Sequence, residues 1–167
     1  MTDPREDMLR ALRDAYAMER DAERLLGNHA TRSTPDPEVN ARIEAHLTET
    51  LANQKSLASC IDRIDANDTI QQTFPDDSPA AIETGDIVQT PDEVVRSLVN
   101  LYVFKHQEIA SYTSLIAIAE ANGFFETKLA CETIALQQIA MADWLLDHLP
   151  AATKAYLGQG GSAALTG

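Results

Sequence analysis

Apolar residues recur along this chain at helical spacing, in four long stretches separated by breaks. Met8, Leu12, Ala15, Ala22 and Leu26 share one stripe with Glu19, which predicts a helix from about 4 to 30. Val39, Ile43, Leu57, Cys60 and Ile64 share a second with His46, Thr50 and Asn53, over about 37–66. Leu98, Leu101, Tyr112, Leu115 and Ala119 define a third, over about 91–121, and two charged residues, Lys105 and Glu108, fall on that same inward face. A fourth helix is expected over about 124–148, ending before Pro150.

The helix starts carry their own chemistry. Asp3-Pro4-Arg5-Glu6 and Asp36-Pro37-Glu38 place an aspartate N-cap before a proline at the first helical position, and Thr90-Pro91-Asp92-Glu93 reads as a full capping box. Proline is harmless there because that backbone position has no helical acceptor to reach. Asn122-Gly123 closes the third helix. Residues 67–89 break the pattern with Asn67, Pro75, Asp76, Asp77, Pro79 and Gly85, leaving room for a short helical turn at 79–84. Residues 151–157 can add a further turn, and 158–167 read as a flexible tail.

Two helical hairpins with tight joints near 34 and 123 follow from these boundaries, with one long connection between them. Helices of this length run about 42 Å, and an extended 67–89 segment reaches about 76 Å. The middle connection can therefore cross the whole bundle, which predicts an all-α, ferritin-like four-helix bundle with one long crossover between its second and third helices, in a single domain over 1–157.

Residues equally far from a joint lie at equal height. Glu19 lies about 15 residues before the first joint, with His46 and Glu49 about 12 and 15 after it; Glu108 and Gln137 lie about 15 before and 14 after the second. One level thus gathers Glu19, His46, Glu49, Glu108 and Gln137, with Lys105 one turn from Glu108 on the same face. Carboxylate-bridged di-metal bundles draw a Glu from each of two helices and a Glu-x-x-His pair from each of the other two, a donor set suited to iron or manganese. Bland readings stand beside this one. Glu19 and Glu49 can be solvated edge carboxylates, His46 a satisfied core histidine, Asp143 and His148 a surface pair, and Trp144 a core or interface anchor. Tyr16, Tyr102 and Tyr112 are expected to turn their hydroxyls toward the polar centre.

Several short segments carry a family resemblance. Asp14-Ala15-Tyr16-Ala17-Met18-Glu19, His46-Leu47-Thr48-Glu49-Thr50, His106-Gln107-Glu108-Ile109-Ala110-Ser111-Tyr112 and Ala119-Glu120-Ala121-Asn122-Gly123, followed by Glu132-Thr133, resemble the YciF/YciE-type ferritin-like stress proteins over roughly 8–146. That resemblance implies a rubrerythrin-related bundle, usually a homodimer, associated with stress, with Glu19, Glu49 and Glu108 as metal-ligand candidates and His46 nearby. The chain departs from the family pattern in two places. Lys105-His106-Gln107-Glu108 stands where the family usually reads Glu-His-Tyr-Glu, and Leu136-Gln137-Gln138 where it is usually acidic. The expectation is that the Lys105 ammonium replaces a metal, neutralising Glu108 and Glu19 or Glu49, so that no cofactor is needed. The protein is then structural or interaction-based. The competing expectation is a working non-haem iron or manganese oxidase or peroxidase with Lys105 swung aside; a third is a plain helical interaction domain.

Composition removes other classes. A net charge of −13 argues against a nucleic-acid partner or an anionic membrane surface. The charged N-terminus precedes no apolar run, no span is apolar enough for a membrane, and a cytoplasmic location is the default. The two cysteines, Cys60 and Cys131, lie in apolar runs and read as core filler. No Gly-rich phosphate loop, zinc spacing or Ser-His-Asp order is present.

Overall fold

A computed structural model describes residues 3–66 and 88–163, with side chains described to residue 158. Four helices make up the described chain: α1 (Pro4–Thr31), α2 (Pro37–Asp65), α3 (Pro91–Ala121) and α4 (Phe125–Ala163). The first three match their predicted bounds within a residue, because each start is fixed by a cap. Asp3 Oδ1 accepts from the Arg5 amide at 3.0 Å and Asp36 Oδ1 from the Glu38 amide at 2.9 Å, while Glu93 reaches back to the Thr90 amide at 2.8 Å. At the other end of α3, Gly123 adopts φ +76° and the Phe124 amide returns to the Ala119 carbonyl at 2.9 Å. That left-handed turn suits glycine, which has no side chain to strain.

The fourth helix differs from expectation. It passes through Pro150 and continues to Ala163, so residues 158–163 of the expected tail are helical. Proline removes one backbone hydrogen bond. On either side of it, however, Leu149 and Ala152 pack against the core around Leu26 and Leu145, and that apolar contact holds the helix direction across the missing bond. The short helical turn expected at 79–84 and the tail beyond 163 lie outside the described residues.

Antiparallel pairing of α1 with α2 and of α3 with α4 builds two hairpins, and α1 also packs on α3 and α2 on α4. Direction follows from the ends. The Gln89 amide donates to the Ser33 carbonyl at 2.9 Å and Arg32 pairs with Glu93 at 3.0 Å, so α3 starts beside the α1–α2 joint. Arg5 donates to the Ile64 carbonyl at 3.0 Å and Arg63 pairs with Glu126 at 2.9 Å, so α1 begins, α2 ends and α4 begins at the opposite end. The end of α2 and the start of α3 therefore lie at opposite ends of the bundle, as the ferritin-like topology requires.

Two apolar clusters fill the core. One holds Met8, Leu12, Leu57, Leu115 and Ile134 toward the α3–α4 turn; the other holds Leu26, Ile43, Leu98, Met141 and Leu145 toward the α1–α2 joint. Cys60 and Cys131 are free thiols buried in the first cluster, where burial pushes the Cys131 thiol up to about 12. Such thiols behave as small apolar residues. Among the described residues, no helix is long and apolar enough to cross a membrane.

Candidate functional site

Between the two apolar clusters lies a polar layer to which all four helices contribute. Glu19 comes from α1, His46, Thr50 and Asn53 from α2, Lys105, Glu108 and Tyr112 from α3, and Gln138 from α4, all buried. The helical period explains their convergence: 46, 50 and 53, like 105, 108 and 112, recur every three or four residues on the inward stripe.

Lys105 and Glu108, both 0 % exposed, form an ion pair one turn apart, with Nζ 2.6 Å from Glu108 Oε2. The same ammonium donates to Gln138 Oε1 at 2.9 Å. Gln138 Nε2 in turn donates to Glu19 Oε1 at 3.3 Å, and the Tyr112 hydroxyl donates to that same oxygen at 2.6 Å. Charge is thus relayed from α3 through an α4 amide to an α1 carboxylate. A glutamine suits the middle position because its amide accepts on one side and donates on the other.

Burial dominates the electrostatics. It pushes Glu108 up to about 7, against the pull of Lys105 and with added repulsion from Glu19. It also raises Glu19, partly offset by the Tyr112 hydrogen bond and the Lys105 charge. The buried Tyr112 hydroxyl, facing two carboxylates, is held well above its ordinary value. His46 is driven down to about 3 by burial and then by the positive charges of Lys105 and Arg42. Its Nδ1 lies 2.7 Å from Glu49 Oε2. Nδ1 therefore carries the proton and Nε2 turns a lone pair toward the centre.

Two expected members of the layer are displaced. Glu49 keeps 36 % of its side chain exposed and sits at the edge of α2, held by His46 and, at 3.9 Å, by Arg42. The inward α2 positions are His46, Thr50 and Asn53, and residue 49 falls off that stripe. On α4 the member is Gln138, fully buried, while Gln137 is half-buried on the flank. Height alone cannot separate adjacent residues; the phase set by Cys131, Ile134, Met141 and Leu145 does. Other expectations resolve locally. Tyr112 reaches the centre, whereas Tyr102 packs edge-on against His106, with centroids 4.5 Å apart. His148 pairs with Glu38 at 3.1 Å rather than with Asp143, and stacks on the half-buried Trp144 at 3.8 Å.

Among the described residues, Glu19 Oε2, His46 Nε2, Thr50 Oγ1 and Glu108 Oε1 have no hydrogen-bond partner. Among the described residues, no group of three or more His, Cys, Asp or Glu side chains stands where it could hold a metal ion.

A helical bundle with a long crossover and a charged layer at mid-height defines the class: a ferritin-like protein. The chain belongs to the family described as Domain of unknown function (DUF892), whose model matches residues 3–158. Among solved structures it is similar to a protein of Xanthomonas campestris pv. campestris, at 33 % identity and a TM-score of 0.77, covering 95 % of this chain and 99 % of that one. It is also similar to the stress protein YciF of E. coli, at 19 % identity and a TM-score of 0.71, covering 92 % and 99 %. The YciF-type assignment read from the short motifs is thereby shown.

Proposed function

We propose that this protein is a stress-associated ferritin-like bundle in which the Lys105 ammonium takes the place of a metal ion, and that it acts as a structural or interaction protein, working as a pair of chains. The observation that carries this reading is the Lys105 contact set. A single buried cation touches Glu108 at 2.6 Å and reaches Glu19 through Gln138. The donor set does not fit a pair of bridged metal ions. It offers two buried carboxylates and one imidazole, α4 supplies a neutral amide, and an ammonium stands against the carboxylate that would bridge. An ion placed beside Lys105 would meet direct repulsion.

The competing reading is a non-haem iron or manganese protein with oxidase or peroxidase chemistry. The unpartnered lone pairs of Glu19, His46 and Glu108 favour it. Metal content separates the two. Protein purified without chelator, after growth with added iron and manganese, is expected to carry essentially no metal. Its thermal midpoint is expected to move by less than about 1 °C on adding EDTA, because a bound ion would stabilise the fold by mass action. Near two metals per chain, or a midpoint lowered by several degrees, would overturn the lysine reading. Lys105→Glu combined with Gln138→Glu supplies acids at both departures and is expected to gain Fe²⁺ or Mn²⁺ binding.

A further inference from the structure

Apolar side chains reach the outside singly on α2, at Leu51, and as a pair on α3, at Val99 and Val103, but along α4 they form a continuous row. On α1 the outer face carries Asp7, Arg10, Asp21 and Arg24 in local ion pairs. On α4 the outward side chains include Phe125, Leu129, Leu136, Ile139 and Leu146, exposed by 63 %, 63 %, 68 %, 41 % and 52 %. A helix apolar on both faces is one that expects cover on both.

The spacing is specific. Positions 125, 129, 132, 136, 139, 143, 146 and 150 alternate steps of four and three, the heptad seam of a helix pair. They read Phe, Leu, Glu, Leu, Ile, Asp, Leu, Pro. That order is the same from either end: two apolar, one acidic, two apolar, one acidic, two apolar. A two-fold axis demands such a surface, because each residue must suit its counterpart's partner. With the axis between Leu136 and Ile139, an antiparallel copy sets Leu136 on Ile139, Leu129 on Leu146 and Phe125 on Pro150. The exposed parts of the five large side chains come to about 600 Å², close to the roughly 800 Å² per partner of a standard interface and at the top of the range for apolar patches on monomers. Flanking Ala140 and Thr133 supply more.

We propose that the outer face of α4 is the docking surface for a second copy of this chain, packed antiparallel on its own counterpart about a two-fold axis between Leu136 and Ile139. The proposal rests on the pairing of chains read above and adds the surface and the register. It carries a signature of its own. Glu132, paired at 3.7 Å with Lys128 of its own chain, faces Asp143 of the partner subunit, twice per pair, so the register sets two carboxylates together with one lysine between them and keeps the pairing weaker than its apolar area alone would make it.

Sedimentation equilibrium of the full chain, with circular dichroism on each variant, tests it. The wild type is expected to dimerise. Leu136→Glu is expected to weaken the dimer by at least about tenfold, whereas Val103→Glu, equally exposed at 62 % but on α3, changes it by less than about twofold. Asp143→Lys combined with Lys128→Gln converts both carboxylate contacts into ion pairs with no lysine in between, and is expected to tighten the dimer by about three- to tenfold relative to Lys128→Gln alone. A wild type monomeric at about 200 µM, far above ordinary dimer constants, would overturn both pairing and surface. A dimer indifferent to Leu136→Glu, or equally broken by Val103→Glu, would leave pairing standing and overturn this surface. Failure of Asp143→Lys to tighten it in the Lys128→Gln background would overturn the antiparallel register.

Discussion

Replacing Lys105 by methionine removes the buried ammonium while keeping most of its volume. The consequence is set by Glu108, whose carboxyl is already raised from 4.5 to about 7 with the lysine beside it. Below pH 7 that carboxyl is protonated in the folded wild type, so taking away the cation costs little more than the hydrogen bond to Gln138, about 1 kcal/mol. Above pH 7 the two proteins diverge. A carboxyl raised in the folded state loses stability as pH climbs through its folded value; in the wild type that loss is complete just above 7. Without Lys105 the folded value rises further, and the loss continues at about 1.4 kcal/mol per pH unit, reaching about 3 kcal/mol by pH 9. Glu19, which also loses its nearby cation, acts in the same sense. Urea unfolding of both proteins at pH 6, 7, 8 and 9 reads this directly. Lys105→Met with Glu108→Gln leaves no buried charge at this pair, so it is expected to lose the part of the pH dependence that Glu108 carries, keeping only that of Glu19, and to be more stable than Lys105→Met alone at pH 9. Parallel wild-type and Lys105→Met curves from pH 6 to 9 would refute the reasoning, since Glu108 would then not depend on Lys105.

Two further variants probe the rest of the layer. Gln138→Leu strips an acceptor from Lys105 and a donor from Glu19 and is expected to cost about 2–4 kcal/mol in urea melts, against less than about 1 kcal/mol for Gln137→Leu; equal costs would put the wrong glutamine in the core. His46, lowered from 6.5 to about 3, contributes stability that is present above 6.5 and lost as pH falls toward 3, while Glu108 contributes stability gained as pH falls from 7 to 4.5. The two nearly cancel in the window they share. His46→Gln removes the first alone, so its stability is expected to rise relative to wild type by about 3 kcal/mol between pH 6.5 and 4.5; a constant difference over that range would show that His46 is protonated in the fold.

Where the sequence is read correctly, a local mechanism does the work. Asp-Pro and Thr-Pro caps mark the starts of α1, α2 and α3 because an unpaired amide must find an acceptor within two or three residues. The topology is legible because only the long connection can cross the bundle. Lys105 and Glu108 stand out because two charges interrupt an otherwise apolar stripe. The misreadings share another origin. Height along the bundle, which points to Gln137 and Glu49, is satisfied equally well by a neighbouring residue, whereas burial is decided by angle around the helix. Phase counted from Ile134 and Met141 selects Gln138, and the stripe through His46, Thr50 and Asn53 leaves Glu49 outside it. Pro150 misleads because a helix stop is inferred from the lost hydrogen bond, and nothing local announces that Ala152 will be packed on the far side.

The layer's position at mid-height has a mechanical meaning. Long parallel rods filled with leucine, alanine and isoleucine can slide past one another by a turn, about 5.4 Å, and still bury much the same oil-like surface. Here a slip of α4 by one turn would set Ile134 or Ala142 against the Lys105 ammonium and carry the Gln138 amide into a region of methyl groups. A slip of α1 would part Glu19 from Tyr112 in the same way. Only one alignment of the four rods closes the chain of contacts from Glu108 to Glu19, so the charged layer works as a detent, holding the bundle in a single notch whether or not any ion is at hand.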